Sequence, residues 1–172
     1  MIHIIKNTLS VIERELPIKI FDENTDLIEK DKFGIEYINW MNLPVKYDDQ
    51  TYYIADLFIR WAQHIELFNP NKGLKIRHIW ITKQHGDMQV PWGNEKAWNR
   101  LNIHIPLNKC RGGLYTFQGI QVSPIPSSIL MFDGLEDFWS VAKMENQSTS
   151  YKLVIQYENL DPNLIYTGQN QE

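Results

Sequence analysis

Residues 80–107, WITKQHGDMQVPWGNEKAWNRLNIHIPL, decide the fold that this sequence predicts. Two apolar, strand-like runs flank a turn, and His85-Gly86-Asp87 stands at the end of the first run. Because strand side chains repeat every second residue, a His and an Asp two positions apart at a strand end point the same way. An imidazole and a carboxylate directed at one point suit a metal ion. The stretch predicts His85 and Asp87 as candidate metal ligands; the alternative is a turn in which Asp87 bonds to nearby backbone amides.

Short strand-like runs on both sides of this stretch indicate a mainly β core. The predicted strands are Leu74–Thr82, Arg100–Leu107, Leu114–Phe117, Ile120–Val122, Ile129–Phe132, Trp139–Met144 and Tyr151–Tyr157. Turns separate them, including one predicted at residues 91–94. Short strands at these spacings predict a sandwich or jelly roll.

Helices are predicted before this β region. Asn7 or Thr8 can cap a first helix over residues 10–16, which Pro17 ends, and residues 18–21 follow as a short strand. The longest helix is predicted over Gln50–Phe68, where large apolar residues recur at steps of three and four. Such a face carries enough aromatic area to dock on a sheet.

The chain is predicted to form a single domain over residues 1–172. It has an N-terminal helical and strand layer (1–73), a jelly-roll core (74–158) and a polar C-terminal tail (159–172). The fold class is therefore mainly β with N-terminal helices (α+β), with the long helix packed on one face of the jelly roll.

Composition excludes several functional classes. A net charge of −4 argues against general affinity for nucleic acid, which needs a concentrated basic surface. No apolar run approaches the roughly 18 residues of a membrane span. The single cysteine cannot form a disulfide within the chain, which fits a reducing compartment. A cytoplasmic protein with no membrane and no nucleic-acid partner is predicted.

The motifs resemble those of the 2-oxoglutarate and iron(II)-dependent oxygenases, whose first two iron ligands come as His-X-Asp or His-X-Glu. The segments that carry the resemblance after His85-Gly86-Asp87 are RLNIHIPL (100–107), GGLYTF (112–117), SPIPSSILMF (123–132) and DFWSVAKMENQSTSYKLVIQY (137–157). The first is similar to a strand of the aspartyl/asparaginyl β-hydroxylase branch, and the second to the Gly-Gly-X-X-X-Phe strand of the prolyl-hydroxylase branch. The resemblance implies a double-stranded β-helix of the cupin-like, jelly-roll type with Fe(II) and 2-oxoglutarate as cofactors.

The sequence departs from this family at two positions. Where the family has a second His in a His-X-Val context, this chain has Trp139-Ser140-Val141, and an indole has no lone pair to give a metal. Where the family has an Arg that binds 2-oxoglutarate, this chain has Ser150, with Lys152 two residues on. Lys152 would offer a point charge without the bidentate fork of an arginine; a solvent-facing lysine is the alternative.

Two other residues are candidates to complete a metal site. His104 shares a strand face with Asn102 and Pro106, so it is a candidate cosubstrate contact or metal ligand; a hydrogen-bonded core histidine is the alternative. Asp137 is a candidate replacement ligand, or a residue of a solvated turn. Trp92, Trp98 and Trp139 are predicted to contact a ligand or a partner.

Two functions follow from this resemblance. The first is a non-catalytic oxygenase-fold protein that binds a protein partner or serves as a structural or assembly component, in an oligomer or in a phage virion. The virion role rests only on the frequency of short members of this family in bacteriophage genomes. The second is an active dioxygenase with an altered metal triad, which hydroxylates a peptide side chain or a small molecule. A third interpretation is a cupin-like binder of a sugar or small ligand.

Overall fold

Two antiparallel β-sheets pack face to face in this computed structural model, which describes residues 2–6, 9–43, 74–94, 99–134 and 136–159. The strands are β1 (His3–Lys6), β2 (Glu29–Lys30), β3 (Glu36–Asn39), β4 (Leu74–His85), β5 (Val90–Gly93), β6 (Asn99–Pro106), β7 (Tyr115–Phe117), β8 (Ile120–Val122), β9 (Ser128–Phe132), β10 (Trp139–Val141) and β11 (Thr149–Asn159). The larger sheet has the order β1-β9-β6-β11-β4-β3-β2 and the smaller one β5-β10-β7-β8. The expected jelly roll is confirmed.

All seven strands predicted over residues 74–157 form, and within this region the structure adds β5, which the sequence predicted as a turn. Pro91 and Gly93 suggested a turn because both residues disfavour strand interiors. Within the described part of the chain β5 lies at the edge of the smaller sheet and pairs only with β10. A proline is tolerated at such an edge, since its missing N–H need not contribute to the ladder.

The first helix, α1 (Val11–Glu23), is longer than predicted. Ser10, rather than Asn7 or Thr8, is the N-cap, and its hydroxyl accepts a hydrogen bond from the Glu13 amide at 3.2 Å. Pro17 lies inside the helix, and the short strand predicted after it is helical. Ile20 and Phe21 are each 1% exposed. Their burial against the larger sheet offsets the roughly 3 kcal/mol that an internal proline costs.

The larger sheet is buried on both faces, which produces two apolar cores. On its outer face odd-numbered residues of the long strands, such as Ile81, Ile103 and Ile155, pack with Ile20 and Phe21 of α1. Its inner face meets the smaller sheet in an aromatic-rich core: Tyr115, Phe117, Leu130, Phe132, Trp139 and Val141. The inner face is therefore formed by even-numbered residues of β4, β6, β9 and β11, as period-two alternation requires.

The helix α1 packs on the outer face of the larger sheet, whereas the helix predicted to pack on a sheet face is the long one. The predicted long helix Gln50–Phe68 and most of the C-terminal tail lie outside the described residues. None of the helices in the described ranges is both long and apolar enough to cross a membrane.

Candidate functional site

A cavity of about 110 Å³ lies between the two sheets, at one end of the inner core. Aromatic and aliphatic residues form much of its wall, including Trp80, Val90, Trp139 and Val141. Four strands contribute polar side chains to its wall, and the turn between β2 and β3 contributes one more. The strand residues are Thr82, Gln84, His104, Tyr115, Lys152 and Gln156, and the turn residue is Asp31. Apolar walls with a few convergent polar groups are typical of small-molecule sites.

The placement of β4 turns His85 away from this cavity. Trp80, Thr82 and Gln84 line the cavity, so the alternating residues of the strand point to the opposite face of the sheet. His85 Nε2 lies there 3.3 Å from Glu36 Oε2, and the His85 side chain is 42% exposed. His85 therefore contacts a surface carboxylate rather than the interior of the jelly roll.

Asp87 lies in a turn, as the alternative interpretation had it. The strand ends at His85, Gly86 has a φ of +58°, and the Met88 amide donates to the His85 carbonyl at 3.3 Å. Side chains alternate with period two only within a strand, and the strand ends at His85. The spacing of two residues therefore does not make His85 and Asp87 point the same way. Asp87 is exposed and does not line the cavity, so neither candidate ligand of this pair faces it.

His104 points into the cavity, whereas the sequence predicted only that it shares a strand face with Asn102 and Pro106. Its Nδ1 lies 2.6 Å from the Tyr115 hydroxyl, and which atom donates depends on the tautomer. Burial, with a smaller effect from the charge of Lys152, lowers the pKa of His104 to about 3. The imidazole is therefore neutral at neutral pH, and one of its nitrogens is already in a short hydrogen bond. Burial and the Cys110 charge raise the pKa of Tyr115, so its hydroxyl stays protonated.

Lys152 and Ser150 share the inner face of β11. Lys152 is 5% exposed, so the alternative of a solvent-facing lysine is wrong. Its ammonium donates to Gln84 Oε1 at 3.5 Å and lies 4.6 Å from the centroid of the Tyr115 ring. Burial lowers the pKa of Lys152 to about 8, against an opposing effect of Cys110, so the ammonium is largely charged at neutral pH. Ser150 is 1% exposed, and its buried hydroxyl has no hydrogen-bond partner among the described residues.

Trp139 and Asp137 occupy different environments. Trp139 lines the cavity and is 7% exposed; its ring stacks on Tyr115 at 6.2 Å and meets His104 edge-on at 5.6 Å. Asp137 Oδ2 accepts a hydrogen bond from the Asp133 amide at 2.8 Å. Asp137 thus stabilises the turn before β10 and does not line the cavity.

The predicted contact tryptophans are only partly described. Trp92 is 51% exposed and stacks on Phe138, which is 38% exposed, with 6.2 Å between the ring centroids. Trp98 lies outside the described residues.

Three polar residues of the cavity were not predicted from the sequence: Gln84, Tyr115 and Gln156. Alternation along β11 could have found Gln156, which has the same parity as Lys152. Gln84 could not have been found this way, because the presumed role of His85 assigned the wrong face of β4 to the cavity.

The donor set of the cavity does not fit the iron that the resemblance implied. Of the candidate ligands, His104 alone lines the cavity, and its Nδ1 is engaged with Tyr115. Asp31 also lines it, but Asp31 Oδ1 accepts from the amides of Phe33 and Ile35. The neighbouring Lys152 ammonium would repel a divalent cation. Among the described residues there is no cluster of three His, Cys, Asp or Glu side chains that could hold a metal ion.

Solved structures with the same architecture are prolyl hydroxylases and related enzymes. A Pseudomonas putida prolyl-4-hydroxylase matches with a TM-score of 0.71 over 93% of each chain, at 14% identity. A prolyl hydroxylase from Trichoplax adhaerens, solved with a hypoxia inducible factor peptide fragment, matches with a TM-score of 0.70 over 92% of this chain and 83% of that one, at 12% identity.

A viral collagen prolyl hydroxylase from Paramecium Bursaria Chlorella virus-1, solved as a 2OG complex, has a TM-score of 0.63 at 10% identity, over 93% of this chain and 96% of that one. No protein-family model and no curated protein sequence matches the chain. At these identities the likeness establishes the fold alone.

Proposed function

We propose that this chain, whose fold is that of the 2-oxoglutarate and iron(II)-dependent oxygenases, is a non-catalytic member that acts by binding. The observation that carries the proposal is the orientation of β4, which directs Gln84 into the cavity and His85 out of it. Trp139 adds to it, because an indole ring stands beside His104 where the resemblance expected a second histidine ligand. The cavity between the two sheets is therefore suited to an organic ligand rather than to a metal ion.

A role in binding a protein is supported by the exposed pair of Trp92 and Phe138. Two stacked, partly exposed aromatic rings supply rigid contact area of the kind that dominates protein interfaces. Trp92 lies on β5, whose second edge pairs with no strand in the described ranges. An extended segment of a partner protein could pair with this edge while its side chains contact the rings.

The alternative function is an active dioxygenase in which His85 and Asp87, with His104 or Asp137, hold iron. It requires side chains on opposite faces of the larger sheet to converge. Because His85 and His104 lie on opposite faces, the geometry supports the non-catalytic function over this alternative.

Anaerobic titration of metal-free protein with Fe(II), with and without 2-oxoglutarate, tests the proposal. We expect neither the charge-transfer absorption band nor binding heat from a folded sample, and no conversion of 2-oxoglutarate to succinate. The His85→Ala variant is the matched control, since we expect it to behave as the parent does. Tight iron binding that 2-oxoglutarate enhances and that His85→Ala abolishes would refute the proposal and support the dioxygenase.

The partner surface has its own test, which is selection of displayed peptides on the immobilised protein. We expect extended peptides with apolar residues at alternate positions to be enriched on the parent and lost on Trp92→Ser. Enrichment that is the same on both proteins would remove Trp92 from the binding surface.

A further inference from the structure

Lys152 is a buried cation that forms no ion pair with a carboxylate in the described part of the chain. Its ammonium has the neutral Gln84 amide at 3.5 Å and the Tyr115 ring as its neighbours. A buried charge without a partner is destabilising, and perturbed ionisable groups in clefts cluster at functional sites. An anion that entered the cavity would supply the missing counter-charge.

A second polar group of the cavity lies further along the same strand. Gln156 is 6% exposed and lines the cavity, and its buried Oε1 has no hydrogen-bond partner in the described ranges. It stands four residues from Lys152 on the same face of β11, which separates their Cα atoms by roughly 13 Å. A rotation of the amide exchanges its oxygen and nitrogen, so Gln156 can either accept or donate. The cavity thus has a charged end and a neutral polar end.

The walls between these ends favour a flat apolar body. Trp80, Tyr115 and Trp139 line the cavity, and aromatic faces stack well on planar groups. A volume of about 110 Å³ has room for roughly seven to eleven non-hydrogen atoms.

The charges in the wall limit the ligand to one carboxylate. Lys152 is the cation among the described lining residues, since the imidazole of His104 is neutral. Asp31 also lines the cavity, and a second carboxylate on the ligand would meet this like charge.

From these features we infer that the cavity binds a small planar monocarboxylic acid without a metal ion, with its carboxylate at Lys152 and a neutral polar group at Gln156. This inference rests on the proposed function, because a metal in the cavity would impose different ligands. It also predicts that a dicarboxylate such as 2-oxoglutarate is a poor ligand for the metal-free protein.

Ligand-observed NMR and calorimetry on the metal-free protein in EDTA test the inference. The reference probe is 4-hydroxybenzoate, within a panel of planar monocarboxylic acids of similar size. The matched controls are 4-hydroxybenzyl alcohol, which lacks the charge, and benzoate, which lacks the polar group. We expect 4-hydroxybenzoate to bind, the alcohol to bind at least about tenfold more weakly, and benzoate to bind several-fold more weakly.

Two variants link the binding to the residues named. Lys152→Met should weaken binding at least about tenfold and Gln156→Leu about two- to tenfold, while His85→Ala should leave it unchanged. Thermal unfolding of each variant verifies that it is folded, and Lys152→Arg, which keeps the charge, should retain measurable binding.

The outcomes separate this inference from the proposed function. If no acid of the panel binds with or without iron, or if Lys152→Met binds as the parent does, the inference is wrong and the non-catalytic function stands. If acids bind only after Fe(II) is added, both are wrong.

Discussion

The ammonium nitrogen of Lys152 lies 4.6 Å from the centroid of the Tyr115 ring, inside the cavity between the two sheets. The contact is a cation–π interaction, which compensates only part of the cost of burying the charge. Lys152 should therefore reduce the stability of the protein.

Replacing Lys152 with Met should stabilise the fold at neutral pH by about 1–3 kcal/mol. Because burial lowers the pKa of Lys152 from 10.5 to about 8, the unfolded chain holds this proton more tightly than the folded chain does. The unfavourable contribution is fully present below pH 8 and is lost as the pH rises towards 10.5. Urea denaturation of parent and variant across this range, in buffers free of carboxylates, gives the difference. A variant less stable than the parent at neutral pH would contradict this account.

His104 should make the fold sensitive to acid. Its pKa falls from 6.5 to about 3 on folding. Between these two pH values the imidazole is therefore protonated in the unfolded chain and neutral in the folded chain. Stability should decrease as the pH falls from 6.5 towards 3, by about 5 kcal/mol from this residue. The His104→Phe variant should lack this part of the pH dependence, whereas contributions from carboxylates are common to both proteins. Parallel stability curves for parent and variant would show that His104 is not responsible.

Two tryptophans should differ sharply in their contribution to stability. Trp139 packs in the inner core, and its replacement by Ala should cost about 3–5 kcal/mol. Trp92 is 51% exposed, so its replacement by Ala should cost less than about 1 kcal/mol. Chemical denaturation of the two variants measures both values. Equal losses would indicate that Trp92 is as well packed as Trp139.

Gly112 and Gly119 form a second matched pair. Both have positive φ, +85° and +77°, so an alanine at either site carries a left-handed penalty of about 1–2 kcal/mol. A Cβ on Gly112 would also lie 2.6 Å from the Glu145 amide nitrogen, whereas a Cβ on Gly119 meets nothing within 4 Å. We expect Gly112→Ala to cost about 2–5 kcal/mol and Gly119→Ala about 1–2 kcal/mol. Similar midpoints of thermal unfolding for the two variants would argue against the close approach at Gly112.

Local sequence patterns predicted the structure correctly where the conformation of a segment depends only on its own residues. The strand from Arg100 to Leu107 alternates apolar and polar residues, and the structure places Ile103 and His104 on opposite faces of the sheet, as the alternation implied. Pro17 shows the opposite case. A proline ends an isolated helix, but the burial of Ile20 and Phe21 keeps α1 continuous through it.

The sequence by itself determined the jelly roll, the strand face that His104 shares with Asn102 and Pro106, and the shared face of Ser150 and Lys152, because alternation within one strand is a local property. Only the tertiary structure decided that Gln84 faces the cavity and His85 does not. A shift of one residue exchanges the two faces of a strand, and the pairing of β4 with β11 and β3 sets which face is inward. That pairing brought Gln84 and Lys152 together, and the packing of the smaller sheet on the larger one brought Tyr115 of β7 to them.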